Sequence, residues 1–419
     1  MIGTSQRSRT LQRKSAGATE KSVWGVWSVT VLLFLGVVLA GCSASTRPSR
    51  PAPELLQLRQ TTEKRLAEDS HVIISRLLAR MKARYDAYKA GRLPAPPVLD
   101  LLVISGGGDW GAFGAGFLKG WGRIPPGPMA RPQFDIVTGV STGALIAPFA
   151  FLGTDDDIES IVRLYRNPQK DWVRQRGILY FLPNNISFAE VPGLEREMRE
   201  KIDLPLITRL AEAGQDGRML VVNTTNVDDS TGRVWDLVAE AQRVRTTGDV
   251  DRVHRILLAS SGIPGAFPFR EIDNELYVDG GVTGNILYGG RLREEDTFTA
   301  VWARQYPDTP IPTLRYWVIF NNQVRPPPQV TAPTWPAVVS RSLEMGTRAA
   351  TLTSMRHLYS LVEIARLKHG ATIEVRIVAV PGEWSPPKPG VFVSETMNDL
   401  ADLGERMGAD PASWLTEAP

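Results

Sequence analysis

Apolar residues fall along this chain in two rhythms. Short, mostly apolar runs at 99–104, 135–138, 218–224, 276–278, 299–303, 315–320 and 373–380 have the length of strands buried on both faces. Between them, apolar residues return every three or four positions, predicting helices over 111–120, 143–152, 194–201, 253–259, 338–368 and 395–407. Strands alternating with helices from Val98 onward define an α/β protein with a largely parallel sheet. Upstream, Leu55, Leu58, Leu66, Ile73, Leu77, Met81 and Tyr85 recur at helical spacing among many charges, predicting a helix over 54–92. Its heptad is not sustained, which favours a helix packed on the main domain over a coiled coil. Pro94, Pro96 and Pro97 close that segment, and Pro326-Pro327-Pro328 marks a loop before the long helix. The stretch 167–192, with Trp172, Tyr180, Phe181, Leu182 and Phe188, is aromatic without a period. It reads either as a lid over an apolar pocket or as a surface loop packed by its own aromatics. No internal repeat is visible.

Two glycine-built turns follow two of these strands directly. Ser105-Gly106-Gly107-Gly108-Asp109-Trp110-Gly111 comes after 99–104, and Gly139-Val140-Ser141-Thr142-Gly143 follows 134–138. In the second turn a serine sits at G-x-S-x-G spacing, the nucleophile-elbow pattern, in which a sharp turn lifts the hydroxyl above the strand ends. In the first, Gly106, Gly107 and Gly108 can aim bare backbone N–H groups at one point, as an oxyanion hole requires. A third element, Glu275-Leu276-Tyr277-Val278-Asp279-Gly280-Gly281, is a short strand ending in an aspartate. Either the serine turn or the Asp-Gly-Gly turn could arise by chance; the two glycine turns in this order and spacing point to a serine hydrolase.

Together these motifs resemble the patatin-like phospholipases. The resemblance rests on Gly106-Gly107-Gly108-x-x-Gly111, Gly139-x-Ser141-x-Gly143, the run from Ala259 to Pro268, and Asp279-Gly280-Gly281. The strand Val221-Val222-Asn223-Thr224-Thr225 and the Thr231-Gly232 after it also fit, so the likeness spans roughly 99–285. It implies a three-layer α/β/α sandwich with a largely parallel central sheet, and a lipid acyl hydrolase of phospholipase A or esterase type. It further implies a Ser141–Asp279 dyad without histidine, oxyanion donors in Gly106 to Gly108, support from Gly111, Gly139, Gly143, Gly280 and Gly281, and no cofactor. Aspartate is ordinarily a feeble base with a pKa of about 3.9, so burial must raise that value for it to accept a serine proton. The chain departs from the family at Trp110, where Lys or Arg is usual, which leaves the substrate headgroup open.

Three other readings compete. Gly106-x-Gly108-x-x-Gly111 is literally a dinucleotide fingerprint, but the acidic residue of the next strand, Asp135, stands at its start rather than its end. A Ser–Asp–His triad would need His357 or His369, both in or at the end of the long predicted helix, whereas a triad histidine usually sits on a loop. His71 and His254 precede the motifs they would serve and are expected at the surface. A catalytically dead binding protein on the same fold is the third, against which intact Ser141 and Asp279 speak. The four histidines show no metal-ligand spacing.

Composition adds bounds. The 419 residues are 43% hydrophobic and 22% charged, ordinary for a globular protein, and a net charge of +3 gives no broad electrostatic case for nucleic acid. The N-terminus changes the class: Arg7, Arg9, Arg13, Lys14 and Lys21 precede an uncharged run over 23–39 that ends at Leu39-Ala40-Gly41-Cys42. That is the layout of a secretory signal, and small residues before a cysteine resemble the bacterial lipobox. The expectation is a signal peptide over 1–41, lipid on Cys42, a Ser/Pro-rich tether within a 42–97 segment, and a hydrolase domain over 98–419. That domain divides into a motif core, 98–290, and a C-terminal α/β extension, 291–419. A membrane-spanning anchor is the alternative, though the run is short of the about 20 residues a spanning helix needs. Ser43 in place of Asp favours the outer membrane, by analogy with Gram-negative lipoproteins. Cys42 is the only cysteine, so no intrachain disulfide can form. Positions 1–41 hold five of the 48 basic and one of the 45 acidic residues, so the remainder is near neutral and its membrane contact would depend on lipid.

Overall fold

The computed structural model describes residue 47 and residues 50–177, 185–289 and 293–419. The basic leader, the apolar run 23–39, Cys42, and the aromatic Tyr180 and Phe181 with Leu182 lie outside the described residues. Contacts divide the chain into two units. One, Met1–Ser49 with Ile178–Asn185, falls almost wholly outside the described residues, and the other comprises Arg50–Gly177 and Ile186–Pro419.

The second unit opens with a 38-residue helix, α1 (Ala52–Lys89), followed by β1 (Val98–Ile104), α2 (Gly111–Trp121), β2 (Ile136–Val140), α3 (Thr142–Leu152) and α4 (Asp155–Arg166). A two-residue ribbon, β3 (Arg174–Gln175) with β4 (Ala189–Glu190), precedes α5 (Pro192–Lys201) and α6 (Leu204–Ala213). Then come β5 (Met219–Asn226), β6 (Thr231–Asp236), α7 (Leu237–Thr247), α8 (Asp251–Ser260), β7 (Arg270–Ile272) and β8 (Glu275–Asp279). The chain closes with α9 (Phe298–Gln305), β9 (Thr313–Gln323), α10 (Trp335–His369), β10 (Ile373–Val380) and α11 (Ser394–Gly408).

The central sheet runs β10-β9-β1-β2-β5-β8-β7, with β6 also on β5; the five strands from β10 to β5 are parallel. Strand alternation sends Leu102 and Ile104 into the main core with α2, α3 and α11, while Leu99 and Leu101 pack with α1 and α9 on the opposite face. Helices therefore cover both faces, giving the α/β/α sandwich. α3 is apolar all round, and every residue from Thr142 to Phe151 is buried, which makes it a core helix rather than an amphipathic one. α1 docks through Ile74, Leu77, Leu78 and Met81, and Arg80 and Arg84 reach the buried Asp135 at 2.7 and 3.0 Å.

One detail of register positions everything that follows. β6 occupies one edge of β5 from Val221 through Asn226, and β2 and β8 share the other edge. β2 takes it as far as Val140 opposite Asn223, and β8, running the other way, begins with Asp279 opposite Thr224. The last residue of β8 and the residue after β2, Ser141, are thereby brought to one point.

The run 299–303, read as a strand, is instead part of α9. Its β-branched and aromatic residues mimic a strand, but the Thr297 side chain caps the helix by accepting from the Ala300 N–H, and Phe298 and Trp302 stack one turn apart in the core. Among the described residues no helix is long and apolar enough to cross a membrane.

Candidate active site

The elbow begins with Gly139, the fourth residue of β2. A side chain there would meet the carbonyl of Gly143 at 2.3 Å, and one at Gly143 would meet that of Ile104 at 2.4 Å, so only glycines let α3 start this close to β1 and β2. Between them Ser141 is held at φ 54°, ψ −126°, a conformation unusual for any residue but glycine, and is 5% exposed. Its N–H donates to Ser260 Oγ at 3.1 Å, and Ser260 in turn donates to the Asn223 carbonyl at 2.7 Å. Ser261 Oγ donates to the Ser141 carbonyl at 3.2 Å. The serines that end α8 thus fix the backbone turn from below.

Asp279 faces Ser141 from β8 and is also 5% exposed. Its N–H donates to the Gly262 carbonyl at 2.9 Å, and its Oδ1 accepts from the Gly281 N–H at 2.7 Å. Oδ2 is buried and forms no well-shaped hydrogen bond among the described residues, although the Ser141 hydroxyl bears on the carboxyl closely enough to favour its charged form. Burial outweighs that hydroxyl and the Gly281 N–H, and pushes the Asp279 carboxyl up to about 6. A carboxylate with one unsatisfied oxygen beside a serine and a pKa near neutrality can take up a proton.

The glycine loop closes over the elbow. Gly106 lies so near Ser141 that a side chain there would meet the serine Cβ at 2.9 Å. Its N–H donates to Asn285 Oδ1 at 3.0 Å and so is committed elsewhere. Gly108 takes φ +61°, and no partner for the N–H groups of Gly107 and Gly108 is seen among the described residues. The loop is pinned by Asn321 on β9, whose N–H donates to Ser105 Oγ and whose Nδ2 donates to the Ser105 carbonyl, both at 2.9 Å. Gly111 permits the next turn to pass Thr142 and Tyr165, whose hydroxyls pair with each other. Gly280 passes the Asn223 carbonyl just as closely.

A cavity of about 30 Å³ opens at Ser141, walled by Leu145, Tyr165, Trp172, Ile263, Phe267 and Phe392 among others. Phe392 also has a positive φ, 58°, and its N–H donates at 2.9 Å to Asp109 Oδ2, a buried carboxyl whose pKa burial raises. Its ring meets Trp172 and Phe267 at centroid distances of 5.8 and 6.2 Å, making an aromatic cap over the serine. Trp110, in place of the usual basic residue, stacks edge-on with Trp384 at 4.8 Å.

The histidines lie elsewhere. His357 is exposed on α10 and shares a 2.9 Å hydrogen bond with Tyr288, and neither it nor His369 lines the cavity at Ser141. His71 is exposed as expected, but His254 is not. It is 3% exposed on the inner face of α8, donates from Nε2 to the Ile202 carbonyl at 2.7 Å, and has its pKa lowered chiefly by burial. Among the described residues no group of three His, Cys, Asp or Glu could hold a metal. Three supporting residues are not apparent from the sequence: Asn285, Asn321 and Ser260. A buried asparagine at the end of an apolar strand is the available signal for Asn321.

An α/β/α sandwich with a serine elbow, a facing buried aspartate and a glycine loop defines a hydrolase-type architecture. Residues 102–289 match the family model of patatin-like phospholipases. Among solved structures it is similar to VipD from Legionella pneumophila, at 13% identity over 77% of this chain and 68% of that one, with a TM-score of 0.36. No curated protein matches the sequence.

Proposed function

We propose that the protein is a serine lipid acyl hydrolase that cleaves acyl esters with Ser141 as nucleophile and Asp279 as general base. The observation that carries this reading is the shared edge of β5, which sets a strained serine against a buried carboxyl raised to about 6. Ser141 Oγ attacks the ester carbonyl as Asp279 accepts its proton. The oxyanion that forms is held by the N–H groups of Gly107 and Gly108, with the positive end of α3 nearby. Collapse expels the alcohol, which takes the proton back from Asp279. Water then attacks the acyl-serine by the same route in reverse and releases the fatty acid. The apolar walls of the cavity suit an acyl chain. On the same reading, lipid on Cys42 would hold the enzyme at the cell envelope, at the outer membrane of a Gram-negative bacterium, close to lipid substrate.

Fatty-acid release from phosphatidylcholine, lysophosphatidylcholine and a neutral ester, by wild type and by Ser141→Ala, tests the reading. At least one ester is expected to be cleaved by wild type, with release at background in the variant. Equal release by both proteins would overturn it.

A further inference from the structure

A cavity larger than the one at Ser141 lies elsewhere in the fold. It has a volume of about 300 Å³ and lies on the other face of the sheet, between the strands, α1 and α10. Ile73, Leu101, Ile136, Leu358 and Ala365 represent its lining, which is predominantly apolar. Protein interiors leave few voids larger than a water molecule, so an apolar space of this size is not packing slack. It stands at the lower end of small-molecule sites, about 300–1,000 Å³.

Its shape narrows the ligand. Ser354 and His369 both line it, so it follows α10 for fifteen residues, about 22 Å at 1.5 Å per residue. A space this long and this small in volume is slender. It has the length for one extended aliphatic chain. For comparison, one leaflet contributes about 15 Å of a bilayer's hydrocarbon core. Polar side chains line it at several points, Ser70, Thr138 and Ser354 among them, but the ionisable ones sit at one end, where His369 and Glu294 line the cavity and Lys368 pairs with Glu294. There His369 Nε2 is buried with no hydrogen-bond partner among the described residues. An imidazole nitrogen can donate to a carboxylate or accept from a carboxylic acid, so it suits either form of a fatty-acid head. Ile364 lines the same end and is 37% exposed, so that end lies close to solvent.

We propose that this cavity is a second lipid site, separate from the catalytic centre, that binds one long-chain fatty acid with its carboxyl group at His369 and its chain along α10. None of its lining residues belongs to the cavity at Ser141. Between the two stands Asn285, which accepts from Gly106 of the glycine loop and donates to Thr351 Oγ1 of α10 at 3.1 Å. The proposal does not depend on the hydrolase reading.

Palmitate titrated calorimetrically into the full chain carrying Ser141→Ala tests it, because that variant cannot confuse binding with turnover. One palmitate per chain is expected. Ala365→Phe and Ser70→Phe, which fill the cavity from opposite walls, should each weaken binding at least tenfold while the thermal transition persists. In parallel, a diazirine-bearing palmitate on the wild-type chain should crosslink to α1 or α10 peptides, a result independent of how the filled variants fold. Absence of binding, binding undiminished in the filled variants, or crosslinks confined to peptides bearing Leu145 and Tyr165 would each overturn the second site.

Discussion

Ser141 and Asp279 carry opposite kinds of cost, and both can be measured. The serine is strained in its backbone, while the aspartate is strained in its charge, since burial raises its pKa from 3.8 to about 6. A carboxyl that binds its proton more tightly when folded adds stability that is fully present below pH 4 and is lost as pH rises through about 6. Above that pH the charged Asp279 costs on the order of 3 kcal/mol, since moving a pKa by one costs about 1.4 kcal/mol. Asp279→Asn should therefore raise denaturant stability at pH 8 and leave it little changed at pH 4, while hydrolysis falls about 10²-fold or more. Wild-type activity should in turn climb with pH through about 6, as the base form appears. A variant with unchanged stability at pH 8 would show that the carboxyl is not held against its charge. The serine turn, the aspartate turn and the glycine loop are legible in the sequence because each is a set of residues at short spacing within one turn. Asn285 and Ser260 are not, because they meet Gly106 and Ser141 from residues 179 and 119 positions away.

Among the elements, the loop that carries Phe392 controls room at the serine. Its phenylalanine has a positive φ, is tied by its N–H to Asp109, and leaves only about 30 Å³ between the aromatic cap and Ser141. An acyl chain of any length must displace this cap or find it already open. Phe392→Ala should lower KM for long-chain esters several-fold relative to short-chain ones, read from kcat and KM across a chain-length series. An unchanged chain-length preference would show that the cap does not govern entry. Most strands and helices are readable because buried runs and amphipathic periods are local signals. α4 is absent from the expected helices despite its good signature, Thr154 capping the Asp157 N–H and Ile158, Ile161, Val162 and Tyr165 on one face. The error at α9 has a physical source: five residues that include two β-branched and one aromatic carry no period, and the Thr297 cap and the packing of Phe298 on Trp302 decide for helix. The sharing of one β5 edge by β2 and β8 cannot be read from sequence at all, since register is a property of the assembled sheet.

At the scale of the whole molecule, the proposed reading assigns catalysis to the domain after residue 97 and membrane attachment to Cys42. The near-neutral charge of the chain beyond residue 41 leaves salt little to disrupt, so attachment would rest on lipid at Cys42. The wild-type protein should remain in the membrane fraction through high-salt washing, and deletion of residues 1–42 behind an ordinary export signal should release a soluble, active domain. A soluble, unlipidated wild type would overturn that placement. The central claim, that Ser141 is the reacting group, has a more direct test. A fluorophosphonate probe reacts only with a serine activated as a nucleophile, and peptide mass spectrometry locates the adduct. A single adduct on Ser141 is expected, formed faster as pH rises through about 6 and absent from Ser141→Ala. An adduct on another residue, or labelling that survives that substitution, would contradict it.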